Sequence, residues 1–200
     1  MRKKLLTYLL VYFTFFFWKC TNPFSVRTPE PPILTGGKQL SKNLQNNPDS
    51  LLAKLQYAFR QKNVTYYEEC LADSQEVGKN FVFIPEKNES FRFTNWSRQD
   101  EVNYFSNLIN QNDLERIEIS FFDQTEWNAA PTSTDTLYTQ FAYRINLVFR
   151  RQVESYQGRA VMKILRSSLS EWFIFHWEDF HSGRDEHNTW STLKANYRYN

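Results

Sequence analysis

Glycine is scarce, with five in 200 residues against an average usage near 7%. That disfavours glycine-rich phosphate loops, which need backbone that approaches a ligand without a Cβ. Cysteine is scarcer still. Of Cys20 and Cys70, only Cys70 lies outside the apolar leader, so the body has no internal disulfide, and there is no HExxH or paired CxxC spacing to hold zinc. Net charge is also nearly absent from the body. The formal +2 belongs to the first twenty residues, which hold Arg2, Lys3, Lys4 and Lys19 and no acid, while the rest carries 20 basic against 22 acidic side chains. A slightly acidic body lacks the concentrated basic face that tracking a phosphate backbone demands, so no nucleic-acid partner is expected. Neither a cofactor nor a metal is expected, and no catalytic residue is assigned.

What is abundant is aromatic: 18 Phe, 11 Tyr and 6 Trp, large units for a core or a cavity wall. The leader is apolar. Leu5 to Trp18 run for fourteen residues without a charge behind the basic Met1–Lys4, matching an export-signal h-region. As a helix the run reaches about 21 Å, short of the roughly 30 Å hydrocarbon core of a bilayer. Cys20 ends it, and residues 21–47 form a polar tract containing Pro23, Pro29, Pro31, Pro32, Gly36 and Gly37, the composition of a flexible tether. Basic start, short apolar run, terminal cysteine and spacer together resemble a bacterial lipoprotein signal. The resemblance implies lipidation at Cys20 and a membrane anchor at the cell envelope, with sorting to the outer membrane in a Gram-negative host. An uncleaved anchor and ordinary secretory cleavage remain the other two fates of the segment.

The body is expected to start at residue 48. Leu51, Leu52, Leu55, Ala58 and Phe59 recur at helical spacing and predict an amphipathic helix to about Gln61. Val64, Tyr67, Cys70 and Leu71 mark a shorter helix, on whose stripe Cys70 reads as a buried small hydrophobe. Phe81 to Ile84 form a short extended run stopped by Pro85. Ser97 with Asp100 reads as a capping box before the stripe Val102, Phe105, Leu108, Ile109. After Asp113 the period falls from 3.6 to 2. Leu137, Thr139, Phe141, Tyr143, Ile145, Leu147 and Phe149 occupy seven successive odd positions, a long strand with one buried face. A following strand buries Tyr156, Ala160, Met162 and Ile164, and another runs from about Glu171 to Phe180.

This order implies an α+β fold in which N-terminal helices pack on a curved, mainly antiparallel sheet. The run Trp172 to Phe180, followed by Trp190-Ser-Thr-Leu193-Lys-Ala-Asn-Tyr197-Arg198, resembles the closing strand and tail of the nuclear transport factor 2-like superfamily. The likeness covers residues 48–198. It implies a cone with a pocket between sheet and helices, and it is nearly silent on activity, because this superfamily hosts dehydratases, isomerases, cyclases and non-catalytic modules.

Within such a cone Tyr67, Phe141, Tyr143, Phe149, Trp172 and His176 are the candidate pocket residues, suited to a small apolar ligand. The same aromatics would also fill a dry core. His176, Glu178, Asp179, His181 and His187 invite a metal or proton-transfer reading. Strict alternation puts Trp172, Ile174, His176 and Glu178 on one face and Phe173, Phe175, Trp177 and Asp179 on the other, so they do not all converge. Asp179 reads as a strand-end acid that anchors the tail near Trp190. The resulting expectation is an envelope lipoprotein with a non-catalytic binding or assembly domain that pairs as a homodimer. The alternative is a lipid-anchored isomerase- or dehydratase-like enzyme with His176 as base.

Overall fold

Asn47 caps the first helix, α1 (Pro48–Gln61), its side chain accepting from the Asp49 N–H, and Pro48 sits in the first turn, where a missing donor costs nothing. The computed structural model that shows this describes residues 45–131, 133–183 and 188–199; the leader, Cys20 and nearly all of the tether lie outside the described residues. The last part of the stretch read as tether is already held by the body. Gln45 is buried, donating to the carbonyls of Glu69 and Trp172 over 2.9 Å and accepting from Lys54.

α1 buries Leu51, Leu52, Leu55, Ala58 and Phe59 and ends at Lys62 in left-handed backbone, φ 51°. Two shorter helices follow, α2 (Val64–Glu69) capped by Asn63 and α3 (Ser74–Val77) capped by Asp73. Cys70, just past α2, is 0% exposed. A three-residue strand, β1 (Val82–Ile84), and a 3-10 helix, Lys87–Arg92, lead to α4 (Arg98–Ile109). The Ser97–Asp100 capping box closes reciprocally, satisfying two donors that the helix start would otherwise orphan.

The sheet is mixed and mostly antiparallel. β2 (Leu114–Phe122), β3 (Asn128–Ala130), β4 (Ser133–Phe149), β5 (Val153–Arg166) and β6 (Trp172–Phe180) join β1 in the order β1-β6-β5-β4-β2, with β3 paired to β4. Among the described strands only β1 runs parallel to its neighbour. At the other edge, β2 is blunted by basic side chains from the end of α1, Arg60 donating to the Ile119 carbonyl and Lys62 to that of Leu114. Along β4 Thr139, Phe141, Tyr143, Ile145, Leu147 and Phe149 are buried, and β5 buries Tyr156, Ala160, Met162 and Ile164 against the same layer.

One register irregularity changes which residues face inward. On β6 the pairing passes from Lys163↔His176 to Ile164↔Ile174, leaving Phe175 as an extra residue. This bulge reverses the alternation. Trp172 and Ile174 point into the core, and so do Trp177 and Asp179, whereas His176 and Glu178 fall on the outer face beside Lys163 and the exposed Val82. The strict alternation read from sequence therefore fails at Phe175.

The tail beyond β6 has regular structure of its own. Residues Trp190–Asn196 form a helix, α5, with its own capping box at Thr189. It enters the core, with Trp190, Ser191, Leu193 and Lys194 all 0% exposed. Among the described residues no helix is long and apolar enough to cross a membrane.

Candidate functional site

The interior between sheet and helices holds two linked polar centres, both closed over by α5. The first surrounds Glu101. Its place on α4, four residues before Phe105, sets it on the buried face, and it is 0% exposed. Tyr67 donates to its Oε1 over 2.5 Å and Trp96 to its Oε2 over 2.7 Å. Lys194 of α5 lies 2.6 Å from Oε1 with both side chains fully buried. Because the Tyr67 hydrogen is committed to Glu101, the 3.0 Å contact between the Tyr67 and Tyr104 hydroxyls has Tyr104 as donor, and Trp190 Nε1 donates to Tyr104 in turn. A hydrogen-bonded chain thus runs from Trp190 through two tyrosines to the carboxylate.

The second centre is Asp179. Its carboxylate accepts from the Tyr143 hydroxyl over 2.6 Å, from the Ser191 N–H over 2.7 Å and from the Ser191 hydroxyl over 2.5 Å. The Tyr143 oxygen accepts from the Trp190 N–H over 2.7 Å, and Ser191 Oγ accepts from the Glu86 N–H. The strand-end acid is therefore the anchor of α5.

Burial sets the protonation chemistry here. It pushes the Tyr67, Tyr104 and Tyr143 hydroxyls well above the usual phenol range, and nearby carboxylates add to it. It raises Asp179 against the pull of the Ser191 and Tyr143 donors and of Lys194. It brings Lys194 down to about 8, with Glu101 and Asp179 opposing. Such shifts accompany catalytic groups elsewhere, but each of these is already committed to an internal partner.

The residues expected to wall a pocket are packed together. Tyr67, Phe141 and Tyr143 are 0% exposed and Phe149 and Trp172 are 7% exposed. His176 is not among them. The bulge carries it to the outer face, 3.7 Å from Glu178, where desolvation and Lys163 lower its pKa against the pull of Glu178; it is not placed to act as a base inside the cone. Described cavities lie elsewhere. One of about 340 Å³ is lined by Glu68, Glu69, Asp73, Glu76, Arg98 and Phe173, and one of about 220 Å³ by Glu86, Glu89, His181 and Thr192 among others. Among the described residues no group of His, Cys, Asp and Glu is arranged to hold a metal ion; His187 lies outside them.

Sequence reasoning passed over Glu101, Tyr104 and Lys194. Glu101 sits in the acidic first turn of α4 beside the capping box, and its spacing to Phe105 and Leu108 also puts it on the apolar stripe. Lys194 follows Trp190 by four residues, one helical turn along a face that only makes sense once the tail is a helix.

No protein-family model matches the sequence, and no curated protein matches it. The likeness is to solved structures. A nuclear transport factor 2-like superfamily protein from Salmonella enterica serovar Typhimurium aligns over 71% of this chain and 93% of its own, with a TM-score of 0.53 at 11% identity. A candidate dehydratase of the same family from Streptomyces avermitilis aligns over 67% and 92%, with a TM-score of 0.52 at 9% identity. A candidate aromatic ring hydroxylase from Novosphingobium aromaticivorans aligns over 77% and 99%, with a TM-score of 0.53 at 10% identity. At these identities the likeness carries the fold alone.

Proposed function

Since the body has the nuclear transport factor 2-like fold, a scaffold compatible with chemistry and with binding alike, we propose that this chain is an exported, membrane-tethered protein whose domain works as a non-catalytic binding or assembly module at the cell envelope. The observation behind this reading is the occupation of the cone by α5. Trp190 and Lys194 fill the interior, and Asp179, Glu101, Tyr67, Tyr104 and Tyr143 are each hydrogen-bonded to internal partners, so among the described residues the acids inside the cone are already engaged. The anchor in this reading is lipid on Cys20, and the partner surface includes the outer sheet face, through which two copies pair. At about 5 to 6 Å times the square root of its length, the tether spans near 30 Å.

A second reading, a lipid-anchored enzyme of isomerase or dehydratase type acting on a small organic substrate, draws support from the neighbours named as a candidate dehydratase and hydroxylase. It requires α5 to leave the cone before substrate enters. Mass spectrometry of the full-length protein extracted gently from its host separates the readings. The denatured spectrum is expected to show acyl mass on Cys20, and an unmodified full-length mass would sink the lipid anchor. The native spectrum is expected to show a dimer without turnover of any co-purified small molecule; conversion of such a molecule on incubation would favour the enzyme.

A further inference from the structure

The surroundings of Lys194 divide into a host and a guest. The host belongs to the scaffold: Phe83 on β1, Trp177 on β6, Glu101 and Tyr104 on α4. The guest is a single ammonium group delivered by α5. Its Nζ lies 3.5 Å from the Phe83 ring centroid and 3.8 Å from that of Trp177, and those rings meet at 84° as two walls of a corner. Glu101 closes the corner at 2.6 Å, held in position by Tyr67 and Trp96. Aromatic faces and a fixed carboxylate in a water-excluded setting are the components of an organic-ammonium receptor.

Lys194 fits that receptor imperfectly. Its Nζ carries three N–H groups and is fully buried, with one carboxylate oxygen and ring faces as its partners there, and Trp177 Nε1 on the same corner is buried without an acceptor. Burial outweighs Glu101 in setting the lysine's protonation, so the pair does not recover the full cost of desolvating the ammonium. The helix that delivers it is seven residues long and is pinned to Asp179 and Tyr143 by its first turn, whereas Lys194 lies in its last.

We propose that the Phe83–Trp177–Glu101 corner is a binding site for small primary alkylamines, and that Lys194 is its built-in, exchangeable occupant. The proposal rests on reading the domain as a binding module and names the ligand class of its cone. A tethered guest competes at an effective concentration of millimolar or more, so a free amine needs on the order of 10–100 mM to displace it. Displacement loosens the last turn of α5 and couples amine binding to the position of the tail.

The test uses the full-length protein with n-butylammonium chloride, against sodium chloride and n-butanol at the same concentration. Hydrogen exchange of the Trp190–Asn196 amides is expected to quicken severalfold with the amine alone, while β4 and β5 amides keep their rates. Unchanged exchange in α5 overturns the proposal. In K194A the same amine is expected to raise Tm by several degrees where butanol does not. Should K194A fail to fold, the unaltered chain gives the second reading: the Trp177 indole N–H resonance, on the corner itself, is expected to shift saturably with n-butylammonium and not with butanol, and an unmoved resonance overturns the site. Proton NMR of the same samples keeps the two readings apart, since an amine that is consumed has been bound and supports the site while sinking the non-catalytic reading.

Discussion

Tyr143 and Trp190 are joined twice: the Trp190 N–H donates to the Tyr143 hydroxyl over 2.7 Å, and the two rings meet edge to face with centroids 5.0 Å apart. One side chain of the longest strand therefore fixes both the backbone and the indole of the helix that seals the cone. The arrangement also explains a glycine. A Cβ on Gly158, paired with Tyr143 across the β4–β5 ladder, would collide with the Tyr143 hydroxyl and lie 2.6 Å from the Phe180 carbonyl oxygen.

Y143F leaves the Trp190 N–H without its acceptor and Asp179 with one donor fewer, which should cost about 1–3 kcal/mol. G158A should cost about 1–3 kcal/mol through overpacking. Because the collision is partly with the hydroxyl that Y143F deletes, urea unfolding of the double variant should show a total about 1 kcal/mol below the sum. Strict additivity would mean that the glycine is needed only for the Phe180 carbonyl.

Much of this frame is legible in the residues themselves, for identifiable reasons. β4 is buried on one face over its whole central length, so period 2 is written into seven odd positions, and α4 advertises its start through Ser97 and Asp100. The inner site is far less legible. A bulge at Phe175 inserts one residue without altering composition, so alternation assigns Trp177, Asp179 and His176 to the wrong faces. Glu101 and Lys194 are buried only because each has the other, along with the surrounding rings, and a charged residue's partner 93 positions away leaves no local trace. α5 itself is short and rich in Ser, Thr and Asn, so it carries little helical signal of its own.

The pH dependence of stability should carry the signature of Lys194. The unfolded chain holds this proton up to about 10.5 and the folded chain only to about 8. Between those values the unfolded state binds more protons, so this group makes stability rise with pH. Tyr67, Tyr104 and Tyr143 act in the opposite sense above about pH 10, where the unfolded phenols ionise and the buried ones keep their protons. Urea midpoints should climb from pH 8 towards 9.5 and then fall. In K194M the climb should vanish and the fall remain; an identical climb in the variant would remove Lys194 as its source.

Cys70 should be chemically silent in the folded protein. Burial pushes its thiol up to about 12, and its sulfur donates to the Tyr66 carbonyl at 3.1 Å. A maleimide at pH 7.5 should leave Cys70 unmodified in native protein and label it fully in 8 M urea, a solvent in which the domain's cooperative structure is lost. Peptide mapping distinguishes it from Cys20. Rapid native labelling of Cys70 would show that α2 opens towards solvent far more often than its packing suggests.

Asp179 offers the sharpest contrast between two substitutions at one position. D179A strips acceptors from the Tyr143 hydroxyl, the Ser191 N–H and the Ser191 hydroxyl at once, and three donors left in a dry interior should cost roughly 3–5 kcal/mol and release α5. D179N keeps an oxygen for Ser191 and cannot ionise, so its cost at pH 7 should be clearly smaller. Burial raises the folded-state pKa of Asp179 above the unfolded value. The stability from that shift is therefore complete below about pH 4, where the unfolded carboxyl titrates, and is lost as pH rises through the folded value. The gap between wild type and D179N should consequently be widest in mild acid and narrow towards neutrality, read from urea midpoints at pH 4 and 7. A gap that widens towards neutrality would instead mean that the three donors hold the carboxylate ionised and outweigh its burial, and that the anchor of α5 is a charge.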